Sequence, residues 1–389
     1  MQQDIAPRAR SPEGGHRAPL GLVLTGGGAR AAYQVGALAA IAEAVPDLAF
    51  PIVTGVSAGA INAAFLAAHP GPFAAAIAAL RAEWGRLTAE RVYRVRPGRW
   101  GRALLRWLGA PALGGRAGPP LVRGVFDPQP LRALLAQRLD LSGIDRNIAA
   151  GRLRAAALSA TSYATGETVT FVHGAPDVPV WRRALRHAVR ARLTVDHVLA
   201  SAALPLLFPA VAVDGEFYGD GSVRQTAPLA PAIHLGAQAL VVVTNRGPAA
   251  ARDARPASYP SVAEIGQLVL HAIFLDALEA DIERLERLNR LLASFPAGVT
   301  PPEGLRRVGL LWLRPSRDLG ALAAGRHARL PPLVRFLVRR AGGHRAGAVD
   351  FLSYVLFDPA YTAALMDLGY DDARRDWPRL ERFFAAAAP

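Results

Sequence analysis

Short apolar runs alternate with alanine-rich helical segments at the start of the chain. LGLVLT (20–25) and FPIVTG (50–55) have the length and apolar character of buried strands, and each leads into glycines. Helix-forming residues follow them over 29–44 and 57–68. This order of strand, helix, strand and helix, with tight loops between them, predicts a βαβ pattern and a parallel sheet covered by helices.

The alternation continues less regularly through the rest of the chain. We predict a strand pair on either side of the turn ATGE, strands at 239–245 and 309–315, and helices at 127–139, 194–204 and 261–294. A Gly-, Pro-, Arg- and Trp-rich segment, 97–124, interrupts the pattern. One α/β domain with this insertion and a helical C-terminal extension fits the order best.

The amino-acid composition excludes several kinds of catalytic and metal site. The chain has 389 residues, of which 51% are apolar and 20% charged, and this excludes disorder of the whole chain. Cysteine is absent, so disulfides, a thiol nucleophile and thiolate metal sites are excluded. All 45 basic residues are arginine, so a Schiff-base lysine and a P-loop lysine are excluded too. With 31 acidic residues the net charge is +14. This excess indicates either an anionic partner or a basic surface that is simply exposed to solvent.

No segment reads as a membrane span or a secretion signal. Residues 1–19 lack the apolar core of a signal peptide, and we expect a disordered tail there. Prolines and polar residues interrupt the longest apolar stretches, at about 58–80 and 227–244, so no transmembrane helix is predicted. The expected location is the cytoplasm, with peripheral binding to the inner face of the membrane.

GVSAG at 55–59 matches the G-x-S-x-G pattern of a nucleophile elbow. It stands between a predicted strand and a predicted helix, where the chemistry requires it, and this makes Ser57 a candidate nucleophile. Glycines at 55 and 59 allow strand and helix to approach without Cβ clashes. The alternative is a tight turn in which Ser57 is only the N-cap of the helix.

The loop TGGGARAAYQVG (25–36) joins the first strand to its helix. The N–H groups of Gly26, Gly27 and Gly28 can converge on one point and bind a phosphate or an oxyanion. The spacing also satisfies G-x-G-x-x-A, but the second strand ends in TGVSAG, without the acidic residue of a dinucleotide fold. Two adjacent loops serving one acyl-transfer centre are therefore favoured over a nucleotide site.

Candidate acids lie in VDGEFYGDGS (213–222), at Asp214, Glu216 and Asp220. For each of them an ordinary turn is the alternative, since Asp-Gly is common turn chemistry. An α/β-hydrolase would have a histidine after the acid. The histidines beyond residue 220, none of which lies in a short Gly- or Pro-flanked loop, are His234, His271, His327 and His344.

Taken together, GGGARAAYQVGAL, GVSAG, ASAALPLLFPAV and FYGDGSVRQTAP resemble the patatin-like phospholipase family over about 20–246. Three ordered motifs carry the resemblance: G-G-G-x-[RK]-G, G-x-S-x-G and D-G-[GA]. LEADIERLERLNRLL and FLSYVLFDPAYTAALMDLGYDDA are similar to the C-terminal part of bacterial members.

The resemblance implies a three-layer α/β/α fold with a mostly parallel central sheet. It implies that Ser57 is the nucleophile and Asp220 its base, without a histidine, and that no metal or organic cofactor takes part. In such a dyad the aspartate must be partly desolvated, because a free carboxylate is a poor base near neutral pH. The other residues that match the motifs are the oxyanion-hole glycines Gly26, Gly27 and Gly28, then Arg30, Gly55, Gly59 and Gly221.

Two positions depart from the family pattern. Ala31 replaces the last glycine of the first motif, and we expect it to begin the helix without harm. Ser222 replaces the Gly or Ala that follows Asp-Gly. We expect its hydroxyl to hydrogen-bond Asp220 and lower the basicity of that carboxylate, which weakens activity.

Arginine and tryptophan recur at helical spacing over 94–108 and resemble an interfacial amphipathic helix. The residues are Arg94, Arg96, Arg99, Trp100, Arg102, Leu104, Leu105, Arg106, Trp107 and Leu108. A helix packed on the domain with its arginines outward is the alternative. No nucleic-acid motif is recognised, so an anionic lipid surface is the expected partner.

The sequence thus predicts a serine acyl-ester hydrolase that cleaves lipid esters through an acyl-enzyme. Its expected parts are the tail at 1–19, a catalytic domain at 20–246 and a helical extension at 247–389. The alternatives are a catalytically weak membrane-binding or scaffold protein with the same fold, and a Ser-His-Asp esterase. Headgroup, chain length and oligomeric state stay open.

Overall fold

The computed structural model describes residues 19–95, 124–247, 276–296, 299, 301–323 and 353–387. The predicted tail and nearly all of the predicted insertion at 97–124 lie outside these ranges, as does the first part of the predicted helix at 261–294.

Twelve strands lie within the described residues, ten of them in one sheet. They are β1 (Leu20–Leu24), β2 (Ile52–Val56), β3 (Arg94–Val95), β4 (Phe126–Asp127), β5 (Ala155–Ser162), β6 (Thr168–Gly174), β7 (Arg182–Arg183), β8 (Arg186–Arg190), β9 (Val211–Val213), β10 (Glu216–Asp220), β11 (Ala239–Val243) and β12 (Gly309–Leu313).

The sheet runs β12-β11-β1-β2-β5-β6-β8-β7. The first five strands of this order are parallel to one another, as the βαβ pattern predicted. β6 pairs antiparallel with β5, which confirms the predicted strand pair around the turn ATGE. β10 also pairs antiparallel with β5, and β9 extends it as a hairpin.

Helices cover both faces of the sheet. They are α1 (Ala32–Ala44), α2 (Ala58–Ala68), α3 (Phe73–Gly85), α4 (Ala89–Val92), α5 (Gln129–Arg138), α6 (Ser142–Ala149), α7 (Val195–Ser201), α8 (Ala230–His234), α9 (Asp276–Ala293), α10 (Leu319–Ala323), α11 (Pro359–Arg375) and α12 (Trp377–Ala387). None of the helices in the described ranges is long and apolar enough to cross a membrane.

The apolar runs of the parallel strands serve two cores. On β1, Leu22 and Leu24 face the core formed with α1, α2 and α11, whereas Val23 faces the core formed with α8 and α9. Successive side chains of a strand point to opposite faces, so a strand covered on both sides must be apolar throughout. The three-layer α/β/α architecture is confirmed.

The C-terminal region belongs to the same body as the rest of the fold. β12 adds to the sheet beside β11, and α11 crosses α1 so closely that a Cβ at Gly36 would collide with the Met366 carbonyl. Asp358 starts α11, since its side chain accepts the Tyr361 N–H at 3.1 Å and proline follows it. The domain boundary at 246 stays a prediction.

Two local details differ from the sequence expectations. Arg94, predicted as the start of an amphipathic helix, lies in the short strand β3, which pairs with β4. The first helix begins with a 3-10 turn, Gly28–Ala31, before α1. Ala31 ends that turn with φ −64° and ψ −11°, a helical conformation that needs no glycine.

Candidate active site

Strand register brings Ser57 and Asp220 together. β2 pairs with β5 up to Val56, which lies opposite Ser159. β10 pairs with the same edge of β5 from the other direction, and its last residue, Asp220, lies opposite Ala160. The ends of β2 and β10 therefore meet beside β5, and Ser57 directly follows the end of β2.

Ser57 sits on a sharp and strained turn. Its φ of 56° and ψ of −130° are unusual for a residue with a side chain, and such conformations cost about 1–3 kcal/mol. The flanking glycines permit the turn. A Cβ at Gly55 would approach Cβ of Ala63 to 2.7 Å, and one at Gly59 would collide with the Leu24 carbonyl. Both positions therefore allow the close approach of strand and helix that requires glycine.

Asp220 is a fully buried carboxyl group beside this turn. Burial raises its pKa from 3.8 to about 6, against the lowering effects of hydrogen bonds from Ser57 and Ser222. Oδ1 accepts the backbone N–H of Ser222 at 2.9 Å. Oδ2 has no hydrogen-bond partner of regular geometry among the described residues. The Ser57 hydroxyl lies near enough to the carboxyl to lower its pKa. The desolvation that a carboxylate base requires is present.

Ser222 acts on Asp220 mainly through its backbone. Its N–H donates to the carboxyl, while its hydroxyl makes no hydrogen bond of regular geometry within the described chain and lowers the pKa least of the groups around Asp220. The expected weakening by the hydroxyl is therefore small. Any residue other than proline at 222 supplies the same N–H.

The glycine loop after β1 leaves its N–H groups without an acceptor among the described residues. Gly27 and Gly28 have φ of 152° and 56°, and in the described chain none of the N–H groups of Gly26, Gly27 and Gly28 donates to a protein acceptor. Two carbonyl groups of the loop, by contrast, accept hydrogen bonds from buried side chains. Asn245 Nδ2 donates to the Gly26 carbonyl at 2.8 Å, and Gln34 Nε2 donates to the Thr25 carbonyl at 2.8 Å. Such a loop presents donors to an anion or oxyanion.

Arg30 ties this loop to the C-terminal region. It is buried, its Nε donates to Ser353 Oγ at 2.7 Å, and its guanidinium lies 4.0 Å from the ring centre of Tyr354. Gly28 packs against the Tyr354 carbonyl so closely that a Cβ would collide with it. The basic position of the first motif therefore anchors residues of the C-terminal region beside the candidate oxyanion loop.

An apolar cavity of about 1090 Å³, part of it open to solvent, begins at Ser57 and Gly28. It extends along one face of α2, past Ile61 and Phe65, between α3 and α5. Its lining is almost entirely aliphatic and aromatic, with Glu83 and Arg138 as its charged members; other lining residues are Leu80, Trp84, Leu131, Leu135, Phe208 and Phe357. A long apolar group fits this lining.

The other candidate acids and histidines lie apart from Ser57. Asp214 is exposed in the turn between β9 and β10, and Glu216 accepts the Tyr218 hydroxyl at 3.0 Å. His234 stacks on Trp181 with ring centres 4.8 Å apart. His271, His327 and His344 lie outside the described residues. Within the described residues no histidine lines the cavity or acts on Asp220.

Several polar residues that support the site were not predicted from the sequence. They are Gln34, Asn245, Ser201, which accepts the N–H of Ser57 at 3.1 Å, and Asn62, which bonds both Gln34 and Trp84. Gln34, Asn62 and Ser201 are buried polar residues with apolar or aromatic neighbours on both sides in the sequence, and this is the signal that could have identified them. Asn245, between Thr244 and Arg246, carries no such signal.

Comparison with known proteins identifies the family of the chain. A sequence model described as patatin-like phospholipase matches residues 22–233, more than half of the chain. The chain therefore belongs to the patatin-like phospholipase family. No match is found among curated protein sequences.

Solved structures with a similar chain course include VipD from Legionella pneumophila, at 13% identity and a TM-score of 0.35, over 92% of this chain and 66% of that one. Human GIVD cytosolic phospholipase A2, solved with methyl gamma-linolenyl fluorophosphonate and terbium chloride, matches at 14% identity and a TM-score of 0.46, over 95% of this chain and 60% of that one. The chain thus spans less than two thirds of the length of each.

Proposed function

We propose that the protein is a lipid acyl-ester hydrolase in which Ser57 is the nucleophile and Asp220 is its base. One observation carries the proposal: a fully buried carboxyl group faces a strained serine at the end of a large apolar cavity. The catalytic residues come from 20–246, and residues 353–357 complete the cavity.

The reaction follows from the positions of these groups. Ser57 Oγ attacks the ester carbonyl carbon while its proton passes to Asp220, whose buried charge is thereby neutralised. The carbonyl oxygen gains negative charge and accepts hydrogen bonds from N–H groups of the glycine loop. Collapse of the intermediate expels the alcohol, which takes the proton from Asp220. Water, deprotonated by the same carboxylate, then attacks the acyl-enzyme. The carboxylic acid leaves as Ser57 Oγ takes that proton back from Asp220, which restores both residues.

The cavity supplies affinity for the acyl chain. Each methylene group that leaves water for an apolar lining contributes about 0.8 kcal/mol. Ile61 and Phe65 lie one and two helical turns beyond the start of α2, so the chain has apolar partners from the ester group to at least Phe65. This favours medium and long acyl esters over acetyl esters.

Binding to an anionic membrane surface is the second part of the proposal. Leu206 is 81% exposed and has a φ of 69°, an unusual combination for a large apolar residue. It directly precedes Leu207 and Phe208, which line the cavity. The Arg- and Trp-rich segment at 96–108 lies outside the described residues. We expect Leu206→Ser to reduce co-sedimentation with anionic vesicles and leave hydrolysis of a soluble ester unchanged.

Fluorophosphonate labelling with ester hydrolysis tests the catalytic proposal. Ser57→Ala should abolish both, and Asp220→Asn should lower kcat by several orders of magnitude with near-normal folding. Asp214→Asn is the matched control, since it removes an exposed carboxylate six residues away in sequence. A wild-type protein that folds but neither labels nor turns over would favour a membrane-binding scaffold. Undiminished turnover by Ser57→Ala would refute the assignment of the nucleophile.

A further inference from the structure

One hydroxyl group lies between Ser57, the residue that follows β2, and the neighbouring strand β5. Ser201, the last residue of α7, is fully buried. Its Oγ accepts the backbone N–H of Ser57 at 3.1 Å and donates to the Ser159 carbonyl at 2.6 Å. Direct pairing of β2 with β5 ends at Val56 and Ser159, so this hydroxyl joins the two strands at the point where their ladder stops.

The residues just after Ser201 hold Asp220 as well. The backbone N–H of Asp220 donates to the Ala203 carbonyl at 2.9 Å. On its other side, the Thr161 hydroxyl donates to the Asp220 carbonyl at 2.8 Å. One short segment, 201–203, therefore supplies the acceptor for the backbone N–H of Ser57 and the acceptor for that of Asp220. The relative position of the two residues depends on this segment.

This support is needed because the turn is strained. Ser57 has a positive φ, and its N–H is buried, so without an acceptor the N–H would lose a hydrogen bond that water cannot replace. The bond to Ser201 also removes that N–H from the groups that can stabilise an oxyanion. That role is left to the glycine loop.

We propose that Ser201 is a positioning residue of the hydrolase, holding the Ser57 turn at the distance from Asp220 that proton transfer requires. The inference rests on the function proposed above. Ser201 touches neither the acyl group nor the proton in transit, and it acts through the backbone of Ser57.

Ser201→Ala removes the bridge and leaves both side chains of the dyad in place. We expect kcat to fall about 10-fold to 100-fold with an unchanged KM, because orientation in the transition state is lost and the acyl cavity is untouched. The rate of fluorophosphonate labelling should fall in parallel. The acid limb of the pH–kcat/KM profile should move to higher pH, since the Ser57 hydroxyl lowers the pKa of Asp220 in the intact site.

Thr54→Val is the matched control. Thr54 is buried on the same strand β2, and its hydroxyl donates to the Leu22 carbonyl at 3.3 Å, away from the turn. This variant should keep the wild-type kcat and pH profile. If Ser201→Ala does not fold, Ser201→Cys, which is similar in size but a weak hydrogen-bonding group, carries the same expectations.

The outcomes separate the two proposals. If the wild type is active and the Ser201 variant has the same kcat, Ser201 does not position Ser57. The positioning role is also overturned if Thr54→Val loses as much kcat as the Ser201 variant. A folded wild type that neither hydrolyses esters nor reacts with the fluorophosphonate would overturn the proposed function itself.

Discussion

Removing the charge of Asp220 should make the protein more stable while making it inactive. Asp220→Asn keeps the shape of the side chain and the oxygen that accepts the Ser222 N–H at 2.9 Å. It removes an ionised group from a fully buried position. A desolvated charge lowers the stability of the folded state, and such a cost is expected at a site whose function requires that charge.

The magnitude follows from the pKa of Asp220, which burial raises from 3.8 to about 6. Below pH 4 the carboxyl is protonated in both the folded and the unfolded chain, so its ionisation costs nothing. Between pH 4 and pH 6 the unfolded chain ionises first, and the folded state loses relative stability. Above pH 6 both are ionised, and the full shift is worth about 3 kcal/mol. Asp220→Asn should recover that amount at pH 8, about half of it at pH 5, and almost none below pH 4.

Urea unfolding of the wild type and the variant, followed by tryptophan fluorescence at pH 8, 5 and 4, measures the effect. An unchanged slope of free energy against urea would show that the difference lies in stability alone. Asp214→Asn, in an exposed turn, is the control and should change stability by less than about 0.5 kcal/mol at each pH. The reasoning is refuted if, at pH 8, the free energy of unfolding of Asp220→Asn is equal to or lower than that of the wild type.

Three further results are expected. The pH–kcat/KM profile on a soluble ester should have an acid limb near pH 6 and fall about tenfold per pH unit below it, because only the ionised Asp220 accepts a proton; a flat profile from pH 5 to 8 would contradict this. Gly27→Ala should lower kcat more than it raises KM in steady-state assays, because Gly27 has a φ of 152° and an added Cβ would approach Asn245 Nδ2 to 2.7 Å. A pure KM effect would indicate a role in substrate binding instead. Phe65→Trp should fill the distant part of the cavity and lower kcat/KM for long acyl esters but not for butyrate, as a series of p-nitrophenyl esters would reveal.

The strands and turns that are determined by residues adjacent in the chain could be predicted directly from the sequence. The apolar runs that become β1, β2 and β11 are short and continuous because both faces of the sheet are covered. The elbow around Ser57 and the glycine loop each lie within one strand–turn–helix connection. Local steric rules, such as the exclusion of a Cβ at Gly55 and Gly59, therefore determine them.

Tertiary structure distinguishes the two candidate aspartates. Asp214 and Asp220 are each followed by glycine, and in the sequence only the resemblance to the family separates them. Pairing of β10 with β5 places Asp220 at the end of β2, and burial then raises its pKa to about 6. Register and burial depend on residues that are distant in sequence.

The same holds for the supports and the cavity. Ser201 meets Ser57 across 144 positions of the chain, and Arg30 meets Ser353 across 323. The cavity is formed between α2, α3 and α5, with residues from 353–357 at its side. Sequence alone determined which short segments could carry the chemistry, because turn and strand preferences are local. Only the packed fold decided which groups meet, because hydrogen bonding, desolvation and cavity shape depend on contacts between distant segments.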